Sequence, residues 1–487
     1  MKLLSVLSAK SAPSALRERE RERERESKPP HQQSELFLLP KNCQIFKPLI
    51  PKHKTANFGV GVNHAPFSFH NLLKAYYSCR KRKRKTINAG KFELNFEKEL
   101  LKLEQELKSK TYCPGRSICF IITDPKPREV FAADFRDRII HHLLVGFLEP
   151  FWERKFIHHS YSCRAKKGAH LAIKDLKRFL RQASDNFSRP AYYLQVDVAG
   201  FFMSLDKKIL LNIIAKHLKN PDLRWLAEKI IFHDPTKDFY YKGDKNFYRL
   251  IPSHKSLFKV SATQGLPIGN LTSQFFANVY LNELDQFAKH QLKIKYYLRY
   301  VDDLLIVHKN PEQLKLWRKQ ISNFLNERLK LRLHPKKTVL QSIYKGINFV
   351  GFVVKPHHTL IRRKIVGNLK RKLYEFNHLP VPETDEIFNE RLEKILAVIN
   401  SYYGQFKHAQ TFNLRRSLYR NHFGFLKSYI EPSDKNFYYF KVKFYGLTAV
   451  ASSHPAMKAG YADPSRLSWT ASGIKNYPPN GSAKPEL

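Results

Sequence analysis

The sequence of 487 residues predicts an α+β chain, and three observations carry that prediction. Tyr192-Tyr193-Leu194-Gln195-Val196-Asp197-Val198 and the run 297–307 are rich in β-branched and aromatic residues, as strands are. A long helical pattern at 271–290 lies between them, and helical periods return at 311–329 and 385–401. Acidic residues sit in both strand runs: Asp197 near the end of the first, Asp302 and Asp303 in the middle of the second.

The elements read in order as follows. Residues 1–55 form an N-terminal extension, with five Arg-Glu repeats at 17–26 and no apolar periodicity, so that part of it is expected to be disordered. A helical pattern begins near Phe67. In LNFEKELLKLEQELKSK it places Leu94, Leu100, Leu101, Leu103 and Leu107 near one face. A basic run, 80–85, precedes it. Cys119 to Thr123 reads as a strand and 136–148 as a helix. Residues 446–487, rich in Ser, Pro, Gly and Ala, read as a flexible tail.

Charge narrows the class. Lys and Arg total 86 against 42 Asp and Glu, a net of +44 with a pI near 10.0. Such a surface repels itself and suits a polyanion, since neutralising phosphates releases counterions. Five cysteines without a CxxC pair argue against a disulfide framework and a structural zinc site, and for a reducing, cytoplasmic setting. No apolar run reaches the ~18 residues that would cross a bilayer. The apolar stretch in MKLLSVLSA is too short for a secretion signal.

The carboxylates carry the chemistry. An acid inside an apolar strand is costly unless it is paired, protonated or bound to metal. A tight turn at Asp302-Asp303, set beside the end of the Asp197 strand, would bring three carboxylates together. Hard divalent cations take such oxygen ligands. Two of them can stabilise both the attacking and the leaving oxygen of an in-line phosphoryl transfer. Taken alone, each Asp also fits an ordinary turn.

At this point the sequence resembles the reverse transcriptase family. Tyr300-Val301-Asp302-Asp303 matches the family's Y-x-D-D motif, and Asp197 precedes it in the right order with Phe201-Phe202 just beyond. The resemblance covers roughly residues 65–430. It implies a right-hand polymerase: fingers at 56–190, a palm at 191–347 whose antiparallel sheet carries the carboxylates, and a primer grip with helical thumb at 348–445. It also implies that Asp197, Asp302 and the Val198 carbonyl hold two Mg²⁺ ions, with Mn²⁺ able to substitute, and that Asp303 supports the site. Template RNA, a cDNA primer and dNTPs would be the partners, and no membrane is involved.

Further roles follow from the resemblance. Arg128 takes the place of the arginine that clamps the incoming triphosphate, with Lys126 beside it; a planar guanidinium suits two phosphate oxygens at once. Phe202 resembles the steric gate that excludes a ribose 2′-hydroxyl, and one of Phe201 and Phe202 is expected in the core. Lys337, with Lys336 close by, is similar to the lysine near the pyrophosphate leaving group. Arg136, Arg138 and Arg164 are expected near template or primer, although Arg138 could equally pair with Asp134. Gly351, in Phe349-Val350-Gly351-Phe352, would let the primer backbone approach.

The subtype is read from Gly265-Leu266-Pro267-Ile268-Gly269-Asn270-Leu271-Thr272-Ser273-Gln274. Intron-type reverse transcriptases generally carry Gln-Gly-x-x-x-Ser-Pro here. In this register Ile268 replaces the glutamine and Gln274 the proline, and Gln264 lies four residues too early. The pattern, with Gly269 between them, resembles reverse transcriptases of diversity-generating retroelements, which miscopy template adenines to rewrite a variable gene. These three residues would face the incoming nucleotide. The same resemblance implies a small basic ring-forming accessory protein as partner. The alternatives are a phage-defence or retron-type enzyme, which would share the chemistry, and a non-catalytic RNA-binding module. The intact Asp197, Asp302, Asp303 and Arg128 argue against the last.

Overall fold

A four-stranded antiparallel sheet, ordered β5-β6-β3-β7, carries both acidic runs. Its strands are β3 (Tyr192–Asp197), β5 (Tyr296–Tyr300), β6 (Asp303–His308) and β7 (Val339–Ser342). The computed structural model describes residues 65–443 except 82, 84–85, 124–125 and 381–383. The N-terminal extension with its Arg-Glu repeats, the C-terminal tail and part of the basic run 80–85 lie outside the described residues. Among the described residues, no helix is long and apolar enough to cross a membrane.

Strand alternation divides the sheet's two faces. Leu194 and Val196 of β3, with Leu304 and Ile306 of β6, join a core built with the helices Phe135–Lys155, Leu271–Gln286 and Pro311–Leu329. Tyr193, Leu305 and Val307 point the other way, into a second core with the helices Ala169–Ala183, Arg363–Asn377 and Asp385–Phe406. Side chains alternate with a period of two. Gln195, Asp197 and Asp303 therefore share the second face.

A second sheet, ordered β2-β1-β4, stands apart in sequence. β1 (Ser117–Ile122) and β2 (Arg128–Ala132) are antiparallel, and β4 (Phe239–Tyr241) runs parallel to β1. A segment far beyond residue 190 thus completes the sheet built from 117–132. A boundary at 190 separates chain segments, not packed units. β8 (Ile347–Phe349), β9 (Phe352–Val354) and β10 (Thr359–Ile361) form a third, antiparallel sheet.

Two readings need correction. The leucine stripe is two helices, Ile87–Leu94 and Phe96–Lys108, broken at Asn95. Leu100, Leu103 and Leu107 are fully buried, but Leu94 is 82% exposed and Leu101 52%. Seven positions apart, Leu94 and Leu101 share a helical phase that faces away from that of Leu100, Leu103 and Leu107, so even an unbroken helix would not bury all five together. The helix expected at 136–148 runs to Lys155 through Pro150, because Trp152 beyond it is buried. Tyr403 and Arg415, in the helical segment beyond residue 385, are core. Arg415 bonds Thr411 and the Asn436 carbonyl.

Under the Val301-Asp302 turn lies a charge network. Arg299 and Asp285 are fully buried and 2.7 Å apart. Asp285 also accepts from the Tyr297 hydroxyl at 2.7 Å, and Arg299 donates to Asn278 at 3.2 Å and to the Val301 carbonyl at 2.9 Å. Removing one member of a buried pair strands the other charge. Arg299→Met should therefore cost about 3–5 kcal/mol in chemical denaturation. Adding Asp285→Leu should recover a large part of it. A loss under about 1 kcal/mol, the level of an exposed pair, would refute the anchoring role.

His141 is buried, and its Nδ1 has no partner. Burial first, then the neighbouring His142, His233 and Arg138, hold its imidazole down at about 3. The unfolded chain takes up a proton near pH 6.5 and the folded chain does not, so stability is lost as pH falls below 6.5. Wild type minus His141→Gln should lose about 1.4 kcal/mol of unfolding free energy per pH unit between about 6 and 4. Parallel stability curves for the two proteins would refute it.

Candidate active site

The register of two strands makes the site. Asp197 of β3 lies directly opposite Asp303 of β6, and Tyr300 closes the hairpin against Asp303. Val301 and Asp302 are left as a two-residue turn, one position earlier than the Asp302-Asp303 turn expected, and Asp303 opens β6. Val301 has φ 56°, a left-handed value that costs a β-branched residue about 1–3 kcal/mol. The Arg299 guanidinium on its carbonyl helps hold that conformation. All three carboxylates are half-buried.

Like charges directly across a strand pair repel. Burial first, then Asp197 and Asp302, push the Asp303 carboxyl up to about 7. Burial and Asp197 likewise raise Asp302. Gln195 partly offsets this. Its amide nitrogen donates to both Asp303 oxygens at 3.0 Å and to the Asn348 carbonyl at 3.1 Å. Sequence reasoning passed over Gln195. The signal was a polar residue in an apolar strand, two positions before Asp197 and so on its face.

Lys337 forms an ion pair with Asp197. Its loop is tied to β3: the His334 N–H donates to the Asp197 carbonyl at 2.7 Å and the Ala199 N–H to the Arg332 carbonyl at 2.8 Å. Val198 bridges Leu333 between those bonds. In such a non-hydrogen-bonded pair a residue's own carbonyl points away from its partner. The Val198 oxygen therefore faces the side on which the Asp302 turn lies. Exclusively oxygen donors, with negative charge in excess, fit a hard divalent cation. The ammonium of Lys337 sits where positive charge is most needed.

Other cations gather nearby. Arg128, exposed at the start of β2, favours the ionised form of Asp302. Lys126 is also exposed. Burial first, then Lys337, Lys255 and Lys364, lower its affinity for a proton, while Asp197 acts in the opposite sense.

Phe201 is 2% exposed and Phe202 half-buried, so one ring is core and the other borders the surface. Gly200 (φ 54°) makes the turn that separates them from β3. Phe202 and Ile268 pack on one small cluster of Cys119, Phe131, Met203 and Leu257. The Leu266 N–H donates to the Phe202 carbonyl and the Phe131 N–H to the Ile268 carbonyl, both at 2.8 Å. Gly269 (φ 127°) is required: a Cβ there would lie 2.7 Å from Val130 Cγ1 and 2.8 Å from the Phe131 carbonyl oxygen. Gln274 is exposed in the first turn of the helix Leu271–Gln286. Gln264 instead bridges Asp206.

The structure directs the remaining arginines inward. Arg136 pairs with Glu106, and its guanidinium lies 5.4 Å from the Tyr112 ring centroid. Arg138 donates to the Ala133 carbonyl at 2.7 Å, while Asp134, its suggested partner, caps the helix at the Arg136 N–H. Arg164 binds Glu153 and the carbonyls of Ile157 and Ser160. Arg164 is held by protein oxygens on several nitrogens, and Arg136 and Arg138 each spend part of their guanidinium on such contacts, so all three brace the fold. Gly351 (φ 90°) does mark a close approach, but to Gln405, whose Nε2 lies 2.6 Å from where a Cβ would be.

Residues 124–354 match the family model described as "Reverse transcriptase (RNA-dependent DNA polymerase)". Protein YkfC of Escherichia coli K12 is 23% identical over 312 residues, covering 57% of this chain and 75% of that protein. The group II intron-encoded protein LtrA of Lactococcus lactis subsp. cremoris is 22% identical over 368 residues, 62% of this chain and 57% of that protein. The mitochondrial nuclear intron maturase 1 of Arabidopsis thaliana is 22% identical over 316 residues, 48% and 42% respectively. The chain thus spans three quarters of the first relative and little more than half of the second. The match encloses both acidic runs and the sheet that aligns them, within a mixed helix-and-sheet architecture consistent with a right-hand polymerase. Residues 124–354 thus match a reverse transcriptase domain, and the activity such a domain indicates is that of an RNA-directed DNA polymerase.

Proposed function

We propose that the chain copies an RNA template into cDNA by metal-assisted phosphoryl transfer, with frequent errors at template adenines. The carboxylate cluster carries the chemical reading: Asp197 and Asp303 face each other across two strands, and Asp302 tops the adjoining turn. In this reading the fingers occupy 56–190, the palm 191–347, and the primer grip and thumb 348–445. The β4 segment extends the fingers sheet from within the palm stretch.

Asp197, Asp302 and the Val198 carbonyl would hold two Mg²⁺ ions, or Mn²⁺, which stabilise the attacking and leaving oxygens of an in-line displacement. Gln195 orients Asp303 beside them. Arg128 grips the triphosphate with two parallel hydrogen bonds, and Lys126 adds charge. Lys337 exchanges Asp197 for the departing pyrophosphate. Phe202 occludes the space a 2′-hydroxyl needs. A neutral carboxamide at Asp302 removes a charged metal ligand. Asp302→Asn should therefore lower primer extension about 10³-fold, on the order of 4 kcal/mol of barrier. Near-normal extension by that variant would sink the catalytic assignment.

The subtype rests on Ile268. A glutamine beside the incoming nucleotide can hydrogen-bond it, an isoleucine cannot, and ~1.4 kcal/mol of lost discrimination is a tenfold change in selection. The test is sequencing of cDNA made on a defined primed RNA, with Asp302→Asn/Asp303→Asn as blank. Errors should concentrate opposite template adenine, and Ile268→Gln should reduce them about tenfold. Unchanged error rates would remove Ile268 from the selection. The names of LtrA and the intron maturase favour a second reading, an intron-type enzyme, and a retron or phage-defence enzyme is the further alternative. Accurate cDNA from the wild type would select it. The small basic ring-forming protein belongs only to the first reading, as a partner in that assay.

A further inference from the structure

Between the helix Pro221–Phe232 and the loop carrying Ile268, residues 239–260 fold into β4 and three short 3₁₀ turns, Lys245–Leu250, Ser253–Lys255 and Leu257–Lys259. No step above uses their side chains. They form an open cleft of about 430 Å³, walled by Phe239, Tyr248, Ile251, Ser253, Phe258 and Lys259. The volume lies within the range of small-ligand sites, about 300–1,000 Å³.

The walls are aromatic. The Phe258 ring centroid is 5.3 Å from that of Phe239 and 5.6 Å from that of Tyr248. Phe258 remains 36% exposed. In the same segment Tyr240 and Phe247 are more exposed still. Concentrated aromatic exposure marks a binding surface. The surroundings are cationic: Lys242, Lys245, Arg249, Lys255 and Lys259 are all exposed, against one acid, Asp244.

The cleft adjoins the site already described. The His254 carbonyl lies 3.7 Å from where a Cβ on Gly200 would be, beside the turn into Phe202. Phe239 and Tyr248 pack on the same Cys119–Phe131–Met203–Leu257 cluster as Phe202 and Ile268.

We propose that this cleft stacks an unpaired base of the RNA template just before that base reaches the active site. Aromatic faces bind bases through their π-surfaces, and cations beside them neutralise the flanking phosphates. A duplex hides its base faces, so the ligand is single-stranded. Beside a centre that leaves duplex behind it, the available single strand is the uncopied template. A basic protein partner would be repelled by the same lysines. The inference rests on the polymerase reading, and its test separates the two.

The full chain is titrated, without dNTPs, with primer–templates whose RNA overhang is one nucleotide or about eight, within the usual range for single-strand sites. Wild type should bind the long overhang more tightly. Phe258→Ala should lose about tenfold on the long overhang, relative to the one-nucleotide overhang as internal reference, and Phe258→Trp should restore it. Lys259→Glu on the exposed rim should weaken the same preference, and it serves where Phe258→Ala unfolds. Equal affinity of wild type for both overhangs, or equal losses on both in the variants, overturns the cleft. Wild type that ignores the overhang in the titration but extends the short substrate once dNTPs are added fails this proposal alone. Wild type that neither binds nor extends fails the reading beneath it.

Discussion

Two carboxylates placed directly across an antiparallel pair are the constraint around which this chain is organised. Asp197 and Asp303 repel, and each is partly withdrawn from water. The protein answers in layers. Gln195 donates to both oxygens of Asp303, Lys337 caps Asp197, and the cationic fringe of Arg128 and Lys126 stands over the rest. Burial first, then Asp197 and Asp302, nonetheless hold Asp303 near 7, so these groups offset the cost of the cluster only in part. Its donors are all carboxylate and carbonyl oxygens, the kind that fit a hard divalent cation.

Geometry depends on parts that never touch substrate. The turn presenting Asp302 needs a left-handed Val301, and the buried Arg299–Asp285 pair holds that turn from beneath. β2 has a comparable role on the opposite side. Arg128 opens it, the buried Glu129 accepts from Ser256 and from the Leu257 N–H, Phe131 bonds the Ile268 carbonyl, and the Ala133 N–H donates to Asn270. Asn270 stands at the N-cap of the helix Leu271–Gln286, yet its side chain does not cap that helix. It is spent on the strand, which fixes the Ile268 loop against the strand that bears Arg128.

What the sequence made legible follows from range. Strand alternation and the Asp-Asp interruption are local, so β3, the β5–β6 hairpin and the helix Pro311–Leu329 could be read directly. The leucine stripe misled because five leucines were assigned to one face, whereas at about 3.6 residues per turn Leu94 and Leu101 lie opposite Leu103 and Leu107 and only the latter face meets the core. The arginines misled for a different reason. A guanidinium looks the same in sequence whether it meets phosphate or, like Arg164, a glutamate eleven positions back. Their partners are set by tertiary packing. The Gln195–Asp303 contact spans 108 positions, and no local pattern encodes it.

The excess of positive charge can be understood in the same terms. A net charge of +44 would favour any polyanion at long range. Discrimination has to come from where the cations stand. At the carboxylates they are few and confined to short loops and a strand end, where they balance fixed negative charge. Around the cleft of 239–260 they surround aromatic faces with almost no acid among them. The first arrangement suits a group that brings its own metal ions and a triphosphate. The second suits a bare strand whose phosphates have no other counter-charge. One surplus of lysine and arginine can thus serve two different polyanions, sorted by whether carboxylates or aromatic rings accompany the charge.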